Sequence, residues 1–165
     1  LYDLLPPDLF LCAAFVSVSY HDDSIHVFNA GLPDVYLVNN KGEIKSQFNS
    51  SHPPLGVIKA LLPDSRITAR TLNNNDFIVM ISDGIIEARN FAGDMFGLER
   101  FEMNIKQGAV NGNISENLIN EVNLFCGNLP QEDDLSIIDI PCGGWAGSAP
   151  QEHKHSLDEN SSILT

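Results

Sequence analysis

The sequence predicts an α+β layered domain, in which antiparallel strands come first and helices pack over one face of their sheet. Three observations point there. Phe77-Ile-Val-Met-Ile81 is an unbroken apolar run, too short for a helix and too uniformly apolar for a half-exposed strand, so it reads as a strand buried on both faces. Short segments separated by turn residues bring the strand total to five or six before any clear helix. Helical spacing of apolar residues is confined to the stretch after it, between 98 and 126.

Residues 1–9 read as the end of a preceding helix or loop, closed by Pro6 and Pro7. A strand over 10–20 is continuously apolar at first and then alternates, with Val16 and Val18 on one face and Ser17 and Ser19 on the other. His21-Asp-Asp-Ser24 turns the chain, and 25–29 returns antiparallel. Strands over 35–39 and 43–48 flank the tight turn Asn40-Lys-Gly42, with Ile44 and Phe48 expected to point inward together. The prolines and glycine of 49–63 make an ordered loop. An edge strand over 66–72 carries Arg66, Thr68 and Arg70 on one face, and Asn73-Asn-Asn-Asp76 turns into the buried run. Residues 85–89 give one helical turn. A helix over 98–107 shows Leu98, Phe101, Met103 and Ile105, and Asn111-Gly-Asn113 breaks it. Ser115 is expected to cap a helix over 116–126, with Leu118, Val122 and Phe125 inward, Asn117, Asn120 and Asn123 outward, and Gly127 at its end. A last strand over 135–140 lies between Pro130 and Pro141. The domain is therefore expected over 1–141, with 142–165 a flexible linker or tail. There Trp145 is expected to hang free, and His153 and His155 to be solvated rather than metal-bound.

At 165 residues, 43% apolar and 19% charged, the chain is long enough for one cored domain. Its net charge of −13 argues against nucleic acid or an anionic membrane as partner and favours cations and basic surfaces. Cys12, Cys126 and Cys142 lack the paired spacing of zinc sites or a disulfide framework and read as reduced thiols of a cytoplasmic protein. No apolar stretch reaches membrane-spanning length.

Asp83-Gly84 directly follows the buried strand, and Glu132-Asp133-Asp134 directly precedes the last one. If those strands are neighbours, Asp83 and Asp133 meet at one end, where oxygen donors suit magnesium or manganese rather than zinc. The same residues also read as an Asp-Gly turn and an acidic cap, and Gly84 serves either a close backbone approach or the turn. Glu87 and Arg89 fit a helical surface pair, Asp94 a loop, and His52 an ordinary loop histidine rather than a general acid.

These segments, Phe77-Ile-Val-Met-Ile-Ser-Asp-Gly-Ile-Ile-Glu-Ala-Arg-Asn90, Met95-Phe-Gly97 and Glu132-Asp-Asp-Leu-Ser-Ile-Ile138, together resemble the bacterial PP2C-type metal-dependent protein phosphatases of the sigma-factor-regulating and sporulation branch. Asn29-Ala-Gly-Leu-Pro33 is similar to that branch's Asn-Ala-Gly-His-Pro, and Pro54-Leu-Gly56 to its Pro-Leu-Gly; the likeness spans about 9–141. It implies a PP2C-like antiparallel β-sandwich flanked by helices, lacking here the family's N-terminal strands and first helix. It implies hydrolysis of phosphoserine or phosphothreonine by a water activated between two Mn2+ or Mg2+ ions. Asp83 and Asp133 would be metal ligands, with Gly84, Asp134 and Asn29 supporting them. The implied substrate is a phosphorylated antagonist of an anti-sigma factor, and the implied upstream neighbour a receiver or sensor domain. Open sheet edges would also suit a homodimer. The family's Asp-x-Ser-Gly-His-Gly segment has no counterpart here, Leu32 stands where its His is usual, and Cys12 where a Thr is common. Either the remaining ligands lie upstream in a longer polypeptide, or this is a catalytically silent phosphatase-like module that binds a basic partner.

Overall fold

The computed structural model describes residues 2–6, 8–19, 21–60, 62, 68–127, 129 and 133–143. Six strands precede the first helix: β1 (Ala13–Ser19), β2 (Ser24–Ala30), β3 (Val35–Asn39), β4 (Ile44–Phe48), β5 (Thr68–Thr71) and β6 (Asp76–Ile81). Helices α1 (Asp83–Glu87), α2 (Gly97–Asn111) and α3 (Ile114–Cys126) follow, and β7 (Ile137–Cys142) completes the described chain. Two antiparallel sheets form, in the orders β1-β2-β5 and β4-β3-β6-β7.

The sheets face each other across a core of Ile25, Val27, Val35, Leu37, Phe48, Leu72, Ile78 and Cys142. Helices α2 and α3 cover the other face of the second sheet, where Tyr36, Val38, Val79 and Ile81 meet Phe101, Ile105, Leu118 and Val122. Because β3 and β6 lie inside that sheet with a layer on each face, their side chains alternate between two apolar cores, which is why both read as continuous apolar runs. Each fully buried aliphatic side chain there contributes about 1.5–3 kcal/mol of burial free energy. The layering is the predicted one.

Local differences from the sequence reading have physical causes. Ile44 and Phe48 do not share a face: the β3–β4 register passes from Leu37↔Ser46 to Val38↔Ile44, so Lys45 is bulged out, and Ile44 joins the helix-side core while Phe48 joins the inter-sheet core. The bulge lets the Lys45 amine reach the buried carboxylate of Asp76. Ser115 is not the cap of α3; Asn113 holds that position, and the Ser115 hydroxyl donates to Asp139 of β7. Asn117 turns toward α2 and donates to Asn104 Oδ1 at 3.2 Å rather than facing solvent. Leu98 and Met103 are exposed, and the buried stripe of α2 is Phe101, Ile105, Gly108 and Ala109. Pro141 does not bound β7 but lies in it, opposite Phe77, on a strand at the edge of the sheet among the described strands. Arg66, Glu132, Trp145, His153 and His155 fall outside the described residues. No helix among the described residues is long and apolar enough to cross a membrane.

Candidate functional site

Strands β6 and β7 are adjacent and antiparallel, with Ile81 opposite Ile137, so the exit of one and the approach to the other lie at the same end of the sheet. Beyond that register pair the two connections are stitched together by Ser82. Its backbone N–H donates to Ser136 O at 2.9 Å, its hydroxyl donates to Asp134 O at 2.9 Å, and it accepts from Ser136 N at 2.9 Å. Asp83 and Asp133 follow and precede this clasp.

Gly84 explains why the approach is so close. A Cβ built on Gly84 would stand 2.7 Å from Asp134 O and 3.5 Å from the Asp133 Cβ, so only glycine lets the Asp133–Asp134 backbone lie against α1. Of the two readings of Gly84, the close approach is the one realised.

Asp83, Asp133 and Asp134 are all exposed, although the strand that Asp83 follows is buried. Asp83 Oδ1 accepts the Gly84 N–H at 3.1 Å, and Asp133 Oδ1 accepts the Asp134 N–H at 2.8 Å, which fixes each carboxylate beside its own backbone. These hard oxygen donors fit a divalent ion such as magnesium or manganese. Among the described residues no group of three His, Cys, Asp or Glu side chains converges as a metal site, so the pair by itself supplies an incomplete set of ligands.

Asn29 is buried and takes no part in that cluster. Its Nδ2 donates to Pro33 O at 2.9 Å and Leu32 O at 3.2 Å, and its Oδ1 accepts from Leu32 N at 3.1 Å, so it shapes the turn after β2. Asp94 likewise serves its loop, accepting from Asn90 Nδ2 at 3.1 Å.

Two features escaped the sequence reading. His52 is a loop histidine buried at 4% exposure; it bridges Ala30, lies 5.8 Å from the Phe28 ring, and has an Nε2 without a hydrogen-bond partner. The second is a cleft of about 310 Å3 beside the acids, between α1 and the C-terminal half of α3, lined by Gly84, Glu87, Arg89, Asn123, Cys126 and Asp133 among others. Burial pushes the Cys126 thiol above its ordinary pKa. Its lining is drawn from distant segments, so only the folded chain reveals it.

A sandwich of two antiparallel sheets with helices over one is the architecture of PP2C-type phosphatase domains. The chain resembles the SiaA-PP2C domain of Pseudomonas aeruginosa with a TM-score of 0.67 and 18% identity, over 79% of this chain and 51% of that one. It also resembles the structure of the PP2C phosphatase domain and a fragment of the regulatory domain of SpoIIE from Bacillus subtilis, with a TM-score of 0.66 and 16% identity, over 86% of this chain and 41% of that one. The phosphatase domain of that protein, presoaked with manganese, matches with a TM-score of 0.59 and 17% identity, over 85% of this chain and 59% of that one. At such identities the likeness establishes the fold. The chain spans about half the length of these solved relatives. No curated protein sequence matches it. The sequence profile of Stage II sporulation protein E (SpoIIE) matches residues 1–141, and the chain belongs to that family, which is of the PP2C serine/threonine phosphatase type.

Proposed function

We propose that this chain supplies Asp83 and Asp133 as ligands for Mn2+ or Mg2+ in a phosphatase that hydrolyses phosphoserine or phosphothreonine on a regulatory protein, an antagonist of an anti-sigma factor. The C-terminal part of the catalytic domain, expected over 1–141, then runs through Cys142, which is buried in β7, and the linker follows it, in a cytoplasmic protein with an upstream receiver or sensor domain. The observation that carries the reading is the Ser82 clasp with the Gly84 contact, which draws the two acid-bearing connections together at one sheet end. The bound metal would supply an activated water and neutralise charge on the phosphoryl oxygens. The chain's own part is to present two exposed carboxylates, Asp83 and Asp133, each held by the N–H of the following residue. Asp134 lends its carbonyl to the Ser82 clasp, and Asn29 acts at a distance by shaping its turn.

The test is Asp83→Asn in the full natural polypeptide. Manganese-dependent hydrolysis of p-nitrophenyl phosphate is expected to fall by more than about 100-fold, since removing a ligand should exceed the 10–100-fold typical of outer-shell changes. Undiminished activity in that variant would end the assignment of the site.

One observation favours a second reading, a silent phosphatase-like module that docks a basic partner: the described residues offer no third ligand side chain. Calorimetric titration of the full polypeptide separates the two. Manganese binding tighter than millimolar supports the enzyme, and its absence supports the module.

A further inference from the structure

The cleft beside the acids has a wall in common with them, because Gly84 and Asp133 line both. A polypeptide whose phosphorylated side chain sat at those acids would have its neighbouring residues at the cleft mouth. Ala88, Val122, Leu129 and Leu135 give the cleft an apolar part of its lining, and the exposed Glu87, Arg89 and Asn123 a polar one. Arg89 is turned to its own loop, donating from Nη1 to Gly93 O at 2.8 Å. At about 310 Å3 the cleft lies at the small end of ligand pockets, a size for a large side chain rather than a cofactor.

The rim is built as well. Asn90 Oδ1 accepts from Ala92 N at 3.0 Å and Asp94 N at 2.9 Å, and Arg89 pairs with Met95 across the turn, so the loop is locked by its own hydrogen bonds. That loop carries Phe91, which is 77% exposed. Its ring lies over Gly127, where an added Cβ would come 3.3 Å from Phe91 Cε2, and Gly127 is itself part of the cleft wall. A locked turn that keeps a large aromatic ring in water at the edge of an apolar cleft is an arrangement for contact with another molecule.

We propose that the cleft between α1 and α3, rimmed by Phe91, is a specificity pocket that seats an apolar side chain of the phosphoprotein substrate close in sequence to the phosphorylated residue. This rests on the phosphatase reading above. Continuity of the cleft with the acids is what selects the substrate chain as the occupant.

The test uses the full polypeptide with manganese and synthetic phosphoserine peptides in which Leu replaces Ser, one position at a time, within about three residues of the phosphoserine, roughly 10 Å of extended chain. At one position Leu is expected to raise kcat/KM about tenfold, the discrimination an apolar pocket gives. Asn123→Trp, which fills the cleft from the exposed side of α3, is expected to bring that ratio close to one; reading a ratio within each variant cancels any general loss of activity. Should Asn123→Trp not fold, Phe91→Ala, altered at an exposed side chain, is read the same way. No preference for Leu at any position, or a ratio that survives the substitution, overturns the proposal. Wild-type protein that hydrolyses p-nitrophenyl phosphate yet ignores Leu loses only the pocket; protein inert toward every phosphoester loses the phosphatase reading with it.

Discussion

Gly84 and Asp76 stand at opposite ends of the same segment and do opposite jobs. Gly84 permits a contact that any side chain would prevent, with Asp134 O standing 2.7 Å from where a Cβ would be. The obstacle is backbone, which cannot swing aside. Gly84→Ala is therefore expected to cost about 1–3 kcal/mol in urea denaturation and to weaken manganese binding, because the Asp133 connection must move away. Asp76 is the charged group that the fold buries: at 1% exposure it receives Lys45 and the Asn73 N–H at 2.8 Å. Asp76→Ala takes the acceptor from the Asn73 N–H and the counter-charge from Lys45, whose amine keeps the Thr71 carbonyl at 3.4 Å, and a loss of about 3 kcal/mol is expected from the same measurement. The sequence hides this pairing, since Asp76 looks like the end of an Asn-rich turn and Lys45 like an ordinary strand lysine. What joins them is a bulge, and a bulge has no signature in the alternation of side chains.

Helix α3 meets the last strand through a polar contact in an otherwise apolar seam, the Ser115 hydroxyl donating to Asp139. Burial raises the pKa of Asp139 above its ordinary 3.8. A raised carboxyl pKa means that the folded protein prefers the protonated form. The associated stabilisation is complete below the unfolded value and is lost as pH rises through the folded one, so ionised Asp139 is a burden at neutral pH. Asp139→Asn keeps an oxygen to accept from Ser115. It is expected to melt higher than wild type at pH 7, with the difference closing as pH falls below about 4, in paired thermal scans. The strands and helices were legible because their apolar spacing reports one or two buried faces: 35–39 and 77–81 read as strands, and Gly112 and Gly127 as helix ends. Caps and outward faces were less so. Ser115 and Asn117 have the chemistry of a cap and of a solvated face, and each found instead a partner on a neighbouring element that local sequence does not announce.

At the scale of the whole molecule, three layers enclose two cores, and a net charge of −13 surrounds them. Divalent cations will therefore gather at the surface whether or not a site exists. A specific site is recognised by linkage: manganese at about 100 times its dissociation constant stabilises the folded state by about 2.7 kcal/mol. The melting temperature of wild type is expected to rise accordingly and that of Asp83→Asn to stay nearly fixed, whereas equal rises in both would report only screening. Asp83 and Asp133 were readable as candidates because both flank apolar strand signals. That the segments bearing them come together depends on β7 choosing β6 as neighbour, and the cleft beside them on α3 lying across that end; both are facts of topology.

Pro141 lies within β7, which among the described strands pairs with β6 alone. Cys142 turns its carbonyl inward to Asn75 N, so the imino nitrogen of Pro141 faces the open side of the sheet. A foreign chain trying to zip onto that border would find a missing donor near the end of β7 and a ring in its path, so the molecule is guarded against sheet-to-sheet growth along this flank.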